Sequence, residues 1–360
     1  MRTDAVTLTP EQAGVAIRDV LPQFAAQKVT LADACGRILR QAVIAERDQP
    51  PFDRVMMDGV ALRFEAWRKG LRNFRIQGTQ HAGDPVQTLA DEGSCIEVMT
   101  GAVLPVQSDC VIPVERIAVS GGTATVEKDY PASARQFVHA QGSDHRKGQQ
   151  LLDAGTAITP MDIAIIASCG LSEVSVSRRP VIRVISTGNE LVPAGSPIAA
   201  HQVRLSNGPA LVAMLAQHGF TDCLPDHIVD DPALIHDNLA RHLHEADVLI
   251  LSGGVSMGKA DYVPRVLAEL GVHQVFHGIS QRPGKPMWFG TGSRQQLVFA
   301  LPGNPVSTLV CCRQYVLPAL YTASGRAAAP ARHAVLSGSF TFEPKLTCFL
   351  PVRIASRDDG

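Results

Sequence analysis

Residues 248–261 read VLILSGGVSMGKAD, an apolar run that breaks into glycines and serines and then delivers a carboxylate. Four apolar residues without alternation, 248–251, suit a strand covered on both faces. The amphipathic run 262–270, stopped at Gly271, suits the helix that follows. A loop at the carboxyl end of a parallel strand is where α/β folds bind ligands. Lacking Cβ atoms, Gly253, Gly254 and Gly258 let backbone N–H groups approach an anion, and Ser252 and Ser256 add hydroxyl donors. The loop suits an oxyanion, although a tight strand-to-helix turn without any ligand draws on the same residues.

The flanking sequence repeats the pattern. Residues 181–185 form an apolar strand ending in Ser186-Thr187-Gly188-Asn189-Glu190, and 207–218 a helix closed by Gly219. A strand near 223–229 precedes a helix opened by Asp231-Pro232 and running to about 244. Strands follow at 275–279 and 297–300, the second entering Pro302-Gly303-Asn304-Pro305 ahead of a long helix to about 320. Strands alternating with helices of this length imply right-handed crossovers and a three-layer, mainly parallel α/β domain over 178–327.

Before residue 178 the pattern changes. Thr9, Pro10 and Gln12 make a capping-box start for one helix, and Thr159-Pro160-Met161-Asp162 opens another that ends at Gly170. Between them the chain is β-rich. Residues 117–120 and 123–126 flank Gly121-Gly122 as a two-residue hairpin, and 94–99 alternate as a further strand.

Length and composition fit a protein of two or three packed domains: 360 residues, 45% hydrophobic, with a formal net charge of −1. That balance gives no electrostatic footprint for nucleic acid or an anionic membrane. No apolar run approaches a membrane span and the start Met1-Arg2-Thr3-Asp4 lacks a signal-peptide core, so the cytoplasm is the expected compartment. The eight cysteines are scattered, without zinc-ligand spacing, and read as free thiols. His242 and His244 fall late in a helix, where cations favour the terminal carbonyls. No G-x-x-x-x-G-K-[ST] or G-x-G-x-x-G motif is present, which removes ordinary ATPase and dehydrogenase readings.

SGGVSMGKADY, PGKP at 283–286, LPGNPVS at 301–307 and STGNEL at 186–191 resemble the molybdopterin-binding domain of molybdenum cofactor biosynthesis proteins. PPFDRVMMDGVAL at 50–62 and MTGAVLPVQSDCVIPVE at 99–115 are similar to the amino-terminal region of one branch, molybdopterin molybdenumtransferase of the MoeA and gephyrin E-domain type. The resemblance implies that residues 1–177 form a linking subdomain bearing a β-rich insertion at about 45–145. It also implies a closing β-barrel, of which 328–360 would be a truncated part, with unpaired strands that leave the tail disordered or sticky.

The same resemblance implies a chemistry. Molybdate is joined to the dithiolene of an adenylylated molybdopterin and AMP is released, with Mg²⁺ as the metal. Such ligands need fixed cations at the oxyanions and a divalent metal where charge changes at the anhydride. Lys285, between two prolines, is the first cation; Arg282 stands where the family often has lysine. The acids at matching positions are Asp58, Asp144, Glu190, Asp230 and Asp261, with Thr100 beside Asp58 in role. Mg²⁺ takes one or two carboxylates, and motif position favours Glu190 and Asp261. Ser252, Gly253, Gly254, Ser256, Gly258, Arg282, Gly284, Pro302, Gly303, Asn304 and Ser307 would hold the pterin nucleotide.

Plainer roles stand beside these: a helix cap for Asp261, turn residues for Asp58 and Asp144, a helix start explaining Asp230-Asp231-Pro232, and solvated cations at 282 and 285. In the family the insertion reaches across a homodimer to complete the partner's site, and further cofactor-biosynthesis proteins are possible partners. Three departures stand out: Asn189 where aspartate is usual, Val60 where tyrosine is usual, and Arg54-Val55-Met56 for a small polar stretch. They leave a weak paralogue or a gephyrin-like pterin-binding scaffold as the alternative. A stand-alone adenylyltransferase would lack the two amino-terminal motifs, and an amidohydrolase would need a domain for which the chain has no room.

Overall fold

The computed structural model describes residues 7–254, 262–328 and 333–355. Two compact units emerge. One comprises residues 1–41, 153–163 and 172–360; the other comprises 42–152 and 164–171.

The first unit is built on a six-stranded sheet. Its strands are β1 (Ile182–Thr187), β2 (Cys223–Ile228), β3 (Val248–Ser252), β4 (His273–His277), β5 (Trp288–Thr291) and β6 (Leu297–Leu301), in the order β2-β1-β3-β6-β5-β4. β1 runs parallel to both β2 and β3, and β3 parallel to β6; only β5 is reversed between β6 and β4. The sheet is therefore mainly parallel, as the alternation of strands and helices implies. β5 escapes the sequence reading, in which only 297–300 stands out as a strand here, because its apolar run is two residues, Trp288 and Phe289, before Gly290 and Thr291.

Alternation along the buried strands sorts side chains between two helical layers. Val248 and Ile250 meet Leu211 and Leu215 of α1 (Asn207–Gln217), with Ala13 and Ile17 of the capped amino-terminal helix. Leu249 and Leu251 face away, onto Ile235 and Leu239 of α2 (Pro232–Glu245) and Val266 and Leu267 of α3 (Val263–Glu269). The expected helix after β6 is capped by Asn304, whose Oδ1 accepts from Val306 N and Ser307 N, and begins as α4 (Pro305–Cys311). It does not run evenly to 320. A π-turn spans Cys312–Val316 before a second helical stretch, Leu317–Ala323. Pro318 supplies the reason: it has no N–H for the α ladder and its ring crowds the carbonyl four residues back.

Residues Ala26–Thr30 and Glu173–Ser177 pair antiparallel, Ala26 opposite Ser177 and Thr30 opposite Glu173. Asp247, just before β3, anchors the chain that follows. It accepts from both terminal nitrogens of Arg178 at 2.8 and 2.9 Å and from Val181 N at 2.7 Å. Burial raises its pKa, but the Arg178 fork and the Val181 N–H outweigh burial and hold the carboxyl below its usual range. A depressed carboxylate stabilises the fold above its unfolded pKa of about 4 and ceases to do so as pH falls through the folded value. Asp247→Asn should thus lower stability at pH 7 and flatten the acid decline. Urea midpoints that fall in parallel with wild type below pH 5 would remove Asp247 from this role.

The second unit carries another six-stranded sheet, with spatial order Cys110–Pro113, Gly59–Leu62, Ser94–Val98, Asn73–Gln80, Thr123–Val126, Ile117–Ser120. The expected hairpin is present in register, Ser120 opposite Thr123, and both turn glycines have positive φ, +57° and +76°. That is the geometry which makes Gly-Gly a hairpin turn.

The carboxy-terminal segment is paired at one point, which the expectation of unpaired strands did not include. Thr347–Cys348 lies parallel to Gln281–Arg282, with Thr347 N donating to Ser280 O and Phe349 N to Arg282 O. Val335, Leu336, Phe340, Val352 and Ile354 are nonetheless exposed. No helix among the described residues is long and apolar enough to cross a membrane.

Candidate functional site

In the first unit the sheet changes direction of winding between β1 and β3, since β2 lies to one side of β1 while β3 and β6 lie to the other. Ligands of open α/β sheets bind in the crevice outside the strand ends at such a point. Here that crevice is a cleft of about 280 Å³, lined by Ser186 from the end of β1, Ser252 from the end of β3 and Gly303 after β6, with Glu190, Arg204 and Asn207. Asn207 ties two of its walls together. Its Nδ2 donates to Ser252 Oγ and to the Gly303 carbonyl, both at 2.8 Å.

Two hydroxyls at the end of β1 are left over. Ser186 and Thr187 are buried, and neither Oγ has a hydrogen-bond partner among the described residues. A buried polar group without a partner costs about 1–3 kcal/mol, so Ser186 favours a polar ligand in the cleft it lines. The glycines above Thr187 have a packing reason as well. A Cβ at Gly253 would sit 2.7 Å from Thr187 O, and one at Gly254 would sit 2.8 Å from Val263 Cγ2; their φ values are +100° and +65°.

Glu190 is held by its backbone. Gly188 N donates to Ile228 O at 3.3 Å, Val203 N to Glu190 O at 2.8 Å, and His227 Nε2 meets Gly188 O at 2.8 Å. Because a carbonyl only accepts, His227 carries its proton on Nε2. Asn189, the departure from the usual acid, accepts from Asp230 N at 3.0 Å. Asp230 does not line this cleft, while Asp231 caps α2 by accepting from Ala233 N and Leu234 N.

Across the Pro302–Ser307 loop lies a second cleft, of about 410 Å³. Arg282, Gly284, Lys285, Asn304 and Ser307 line it, and Leu346 from the carboxy-terminal segment closes one side. The sequence placed these residues in two motifs, and the fold brings them together. Arg282 and Lys285 are exposed, and neither forms an ion pair among the described residues. Two clefts thus share one loop, with Gly303 and Pro305 on the first and Asn304 and Ser307 on the second.

The remaining acids sit in the second unit. Asp58 Oδ1 accepts from Thr100 N at 2.7 Å and from Thr100 Oγ at 2.8 Å, and these two bonds hold the exposed carboxyl below its usual range. Asp144 Oδ1 lies 2.8 Å from His139 Nε2, while His139 Nδ1 lies 3.0 Å from Arg54 Nη2. A guanidinium only donates, so Nδ1 accepts and the Nε2 proton goes to Asp144. Arg54, one of the departures, therefore sets the tautomer of His139. Ser256, Gly258 and Asp261 lie outside the described residues.

Among the described residues no group of three or more His, Cys, Asp and Glu side chains could hold a metal ion. Sequence reasoning left Asn207, His139 and the free hydroxyls of Ser186 and Thr187 without roles. Asn207 reads in sequence only as a helix start, and no local pattern marks a hydroxyl whose partner is missing.

Comparison with known proteins identifies the family. Residues 8–170 match the MoeA N-terminal region (domain I and II), and residues 183–322 match the probable molybdopterin binding domain. A molybdopterin molybdenumtransferase from Synechocystis sp. is 40% identical over 335 residues, covering 93% of this chain and 83% of that protein. One from Synechococcus elongatus is 35% identical, covering 85% and 78%. The crystal structure of a molybdopterin biosynthesis MoeA protein from Pyrococcus horikosii superimposes with a TM-score of 0.75 at 29% identity, covering 89% of this chain and 81% of the other. With both regions matched in order, and a relative of 40% identity matched over most of both chains, the chain belongs to the molybdopterin molybdenumtransferase family.

Proposed function

We propose that the protein inserts molybdate into adenylylated molybdopterin, joining molybdenum to the dithiolene and releasing AMP. One observation carries the reading: a cleft lined by a buried Ser186 hydroxyl without a partner among the described residues and by the Glu190 carboxylate lies beside a cleft whose two cations form no ion pair among those residues, on either side of the Pro302–Ser307 loop. A nucleotide-linked pterin and a tetrahedral oxyanion must occupy neighbouring sites for this transfer, and the loop supplies that adjacency. Lys285 and Arg282 face the oxyanion. At about 4 Å each unit charge pair is worth about 4 kcal/mol at an effective dielectric near 20.

Mg²⁺ fits the donor set. It takes one or two carboxylates and fills its shell with waters and phosphate oxygens, which matches a cleft whose described lining bears a single carboxylate, Glu190. Glu190 would hold it, joined on the sequence reading by Asp261. The ion supplies charge neutralisation at the anhydride oxygens. Asn207 and Ser252 fix the wall against which the nucleotide lies, and Ser186 offers it a hydroxyl.

The protein acts in the cytoplasm as a homodimer, receiving its pterin from an adenylating enzyme of the same biosynthesis. Asp58 and Thr100, locked together by two hydrogen bonds, complete the site of the other subunit. Molybdate-dependent AMP release from adenylylated molybdopterin by the purified protein tests the reaction. A protein that binds the pterin without releasing AMP would be a scaffold instead.

The same assay tests assembly. Asp58→Ala and Lys285→Ala should each be inactive as homodimers. Mixed equally and allowed to exchange, they should recover about a quarter of wild-type activity, since half the dimers then have one intact composite site. Recovery no better than the separate variants, with exchange verified by mass, would show that each chain builds its own site.

A further inference from the structure

Four consecutive carbonyls in the loop that carries Arg282 and Lys285 are each taken by an internal donor. Arg282 O accepts from Phe349 N at 2.9 Å and Lys285 O from Ile279 N at 2.8 Å. Gly284 O accepts from Met287 N at 3.4 Å and from the Cys311 thiol at 3.7 Å. Pro283 O accepts from Gln281 Nε2 at 3.0 Å.

Gln281 is the centre of this arrangement. It is wholly buried, its Oε1 accepts from the Tyr315 hydroxyl, and its Nε2 also lies 3.6 Å from Cys311 Sγ. Tyr315 and Cys311 come from the π-turn and α4, which pack behind the loop. Contact is direct. A Cβ on Gly284 would lie 2.4 Å from Cys311 Sγ and 2.7 Å from Gln281 Nε2. Burying an amide is costly unless both its ends are bonded, and here both are. The bonds also have an electrostatic effect, because each carbonyl's negative end is taken by a donor while the cationic side chains of Arg282 and Lys285 line the cleft.

We propose that Gln281, braced by Tyr315 and Cys311, is a positioning residue that presents Lys285 to a tetrahedral oxyanion in the cleft shared with Asn304 and Ser307. The inference rests on the reading of that cleft as the oxyanion site. Burial pushes the Cys311 thiol up to about 12, so its S–H donor persists through the physiological range.

Calorimetric titration with inorganic molybdate tests it on the full-length protein. Gln281→Met keeps the volume and removes the amide, and affinity should fall about tenfold, the lower end of what outer-shell partners contribute at ligand-holding sites. Because both cations remain, the dependence of affinity on ionic strength should match wild type, whereas Lys285→Ala should flatten it. Cys311→Ser, which keeps a donor, should bind better than Cys311→Ala. Should Gln281→Met not fold, Tyr315→Phe preserves the ring, strands Gln281 Oε1 and should shift affinity in the same direction. If Lys285→Ala binds molybdate like wild type, the oxyanion reading of the cleft fails. If Lys285→Ala weakens binding but folded Gln281→Met and Tyr315→Phe do not, positioning by Gln281 is overturned and the cleft reading stands.

Discussion

Lys285→Ala is expected to leave the melting temperature unchanged and to weaken binding of adenylylated molybdopterin with molybdate by about 2–5 kcal/mol. The first half follows from exposure: Lys285 has no ion pair among the described residues, and solvated charges contribute little to folding. The second half follows from what the ligand does on arrival. An oxyanion seated among Lys285, Arg282, Asn304 and Ser307 displaces water from the ammonium, so truncation then leaves the ligand charge without its partner. In Kd this is about 30- to 4000-fold. A loss below about 0.5 kcal/mol by isothermal titration would make Lys285 a solvated cation at a strand end.

Gly59→Ala should have the largest effect on folding. A Cβ on Gly59 would lie 1.9 Å from the carbonyl oxygen of Ile112 and 2.9 Å from its carbon. The obstacle is backbone, not a side chain that can rotate away. Gly59 pairs with Pro113 and Val60 with Ile112, so the two strands must part or slip to admit a methyl group. Forced rearrangement of a packed interior costs about 3 kcal/mol or more, and the unit containing this sheet should melt roughly 10 °C lower. Asp58 stands immediately before this glycine, so its bonds to Thr100 should loosen as well. Denaturation within about 0.5 kcal/mol of wild type would show that the strand pairing at Gly59 is looser than described.

Elements whose cause is local were legible from the sequence. The Thr9 cap, the Gly-Gly hairpin and the buried strand at Val248–Ser252 each depend on residues within a few positions of one another. The site was legible as motifs, because Lys285 and Asn304 belong to recognisable strings. What remained hidden depends on distant partners. Gln281 reads as a surface residue next to Arg282, and only Tyr315 and Cys311, contributed by a helical run beyond two intervening strands, make its burial tolerable. Pairing of Thr347–Cys348 with Gln281–Arg282 was unreadable for the same reason: neither segment alone has the length of a strand. The π-turn went unread, because the run to about 320 reads as one long helix although Pro318 within it forbids a regular ladder.

The pairing of Ala26–Thr30 with Glu173–Ser177 bears on how the chain is made. Residues 42–152 lie between these two strands and form the bulk of a separate compact unit. On the ribosome that unit emerges whole while Ala26–Thr30 still lacks its partner, and long-range pairings form slowly because the intervening chain must first be closed. Folding order is therefore set by the insertion. The β-rich unit can consolidate during synthesis, whereas the α/β unit waits for Glu173 and then for each parallel strand through Leu301, so a chain stalled just before Glu173 carries one finished unit and the bare strand Ala26–Thr30, in need of protection from aggregation.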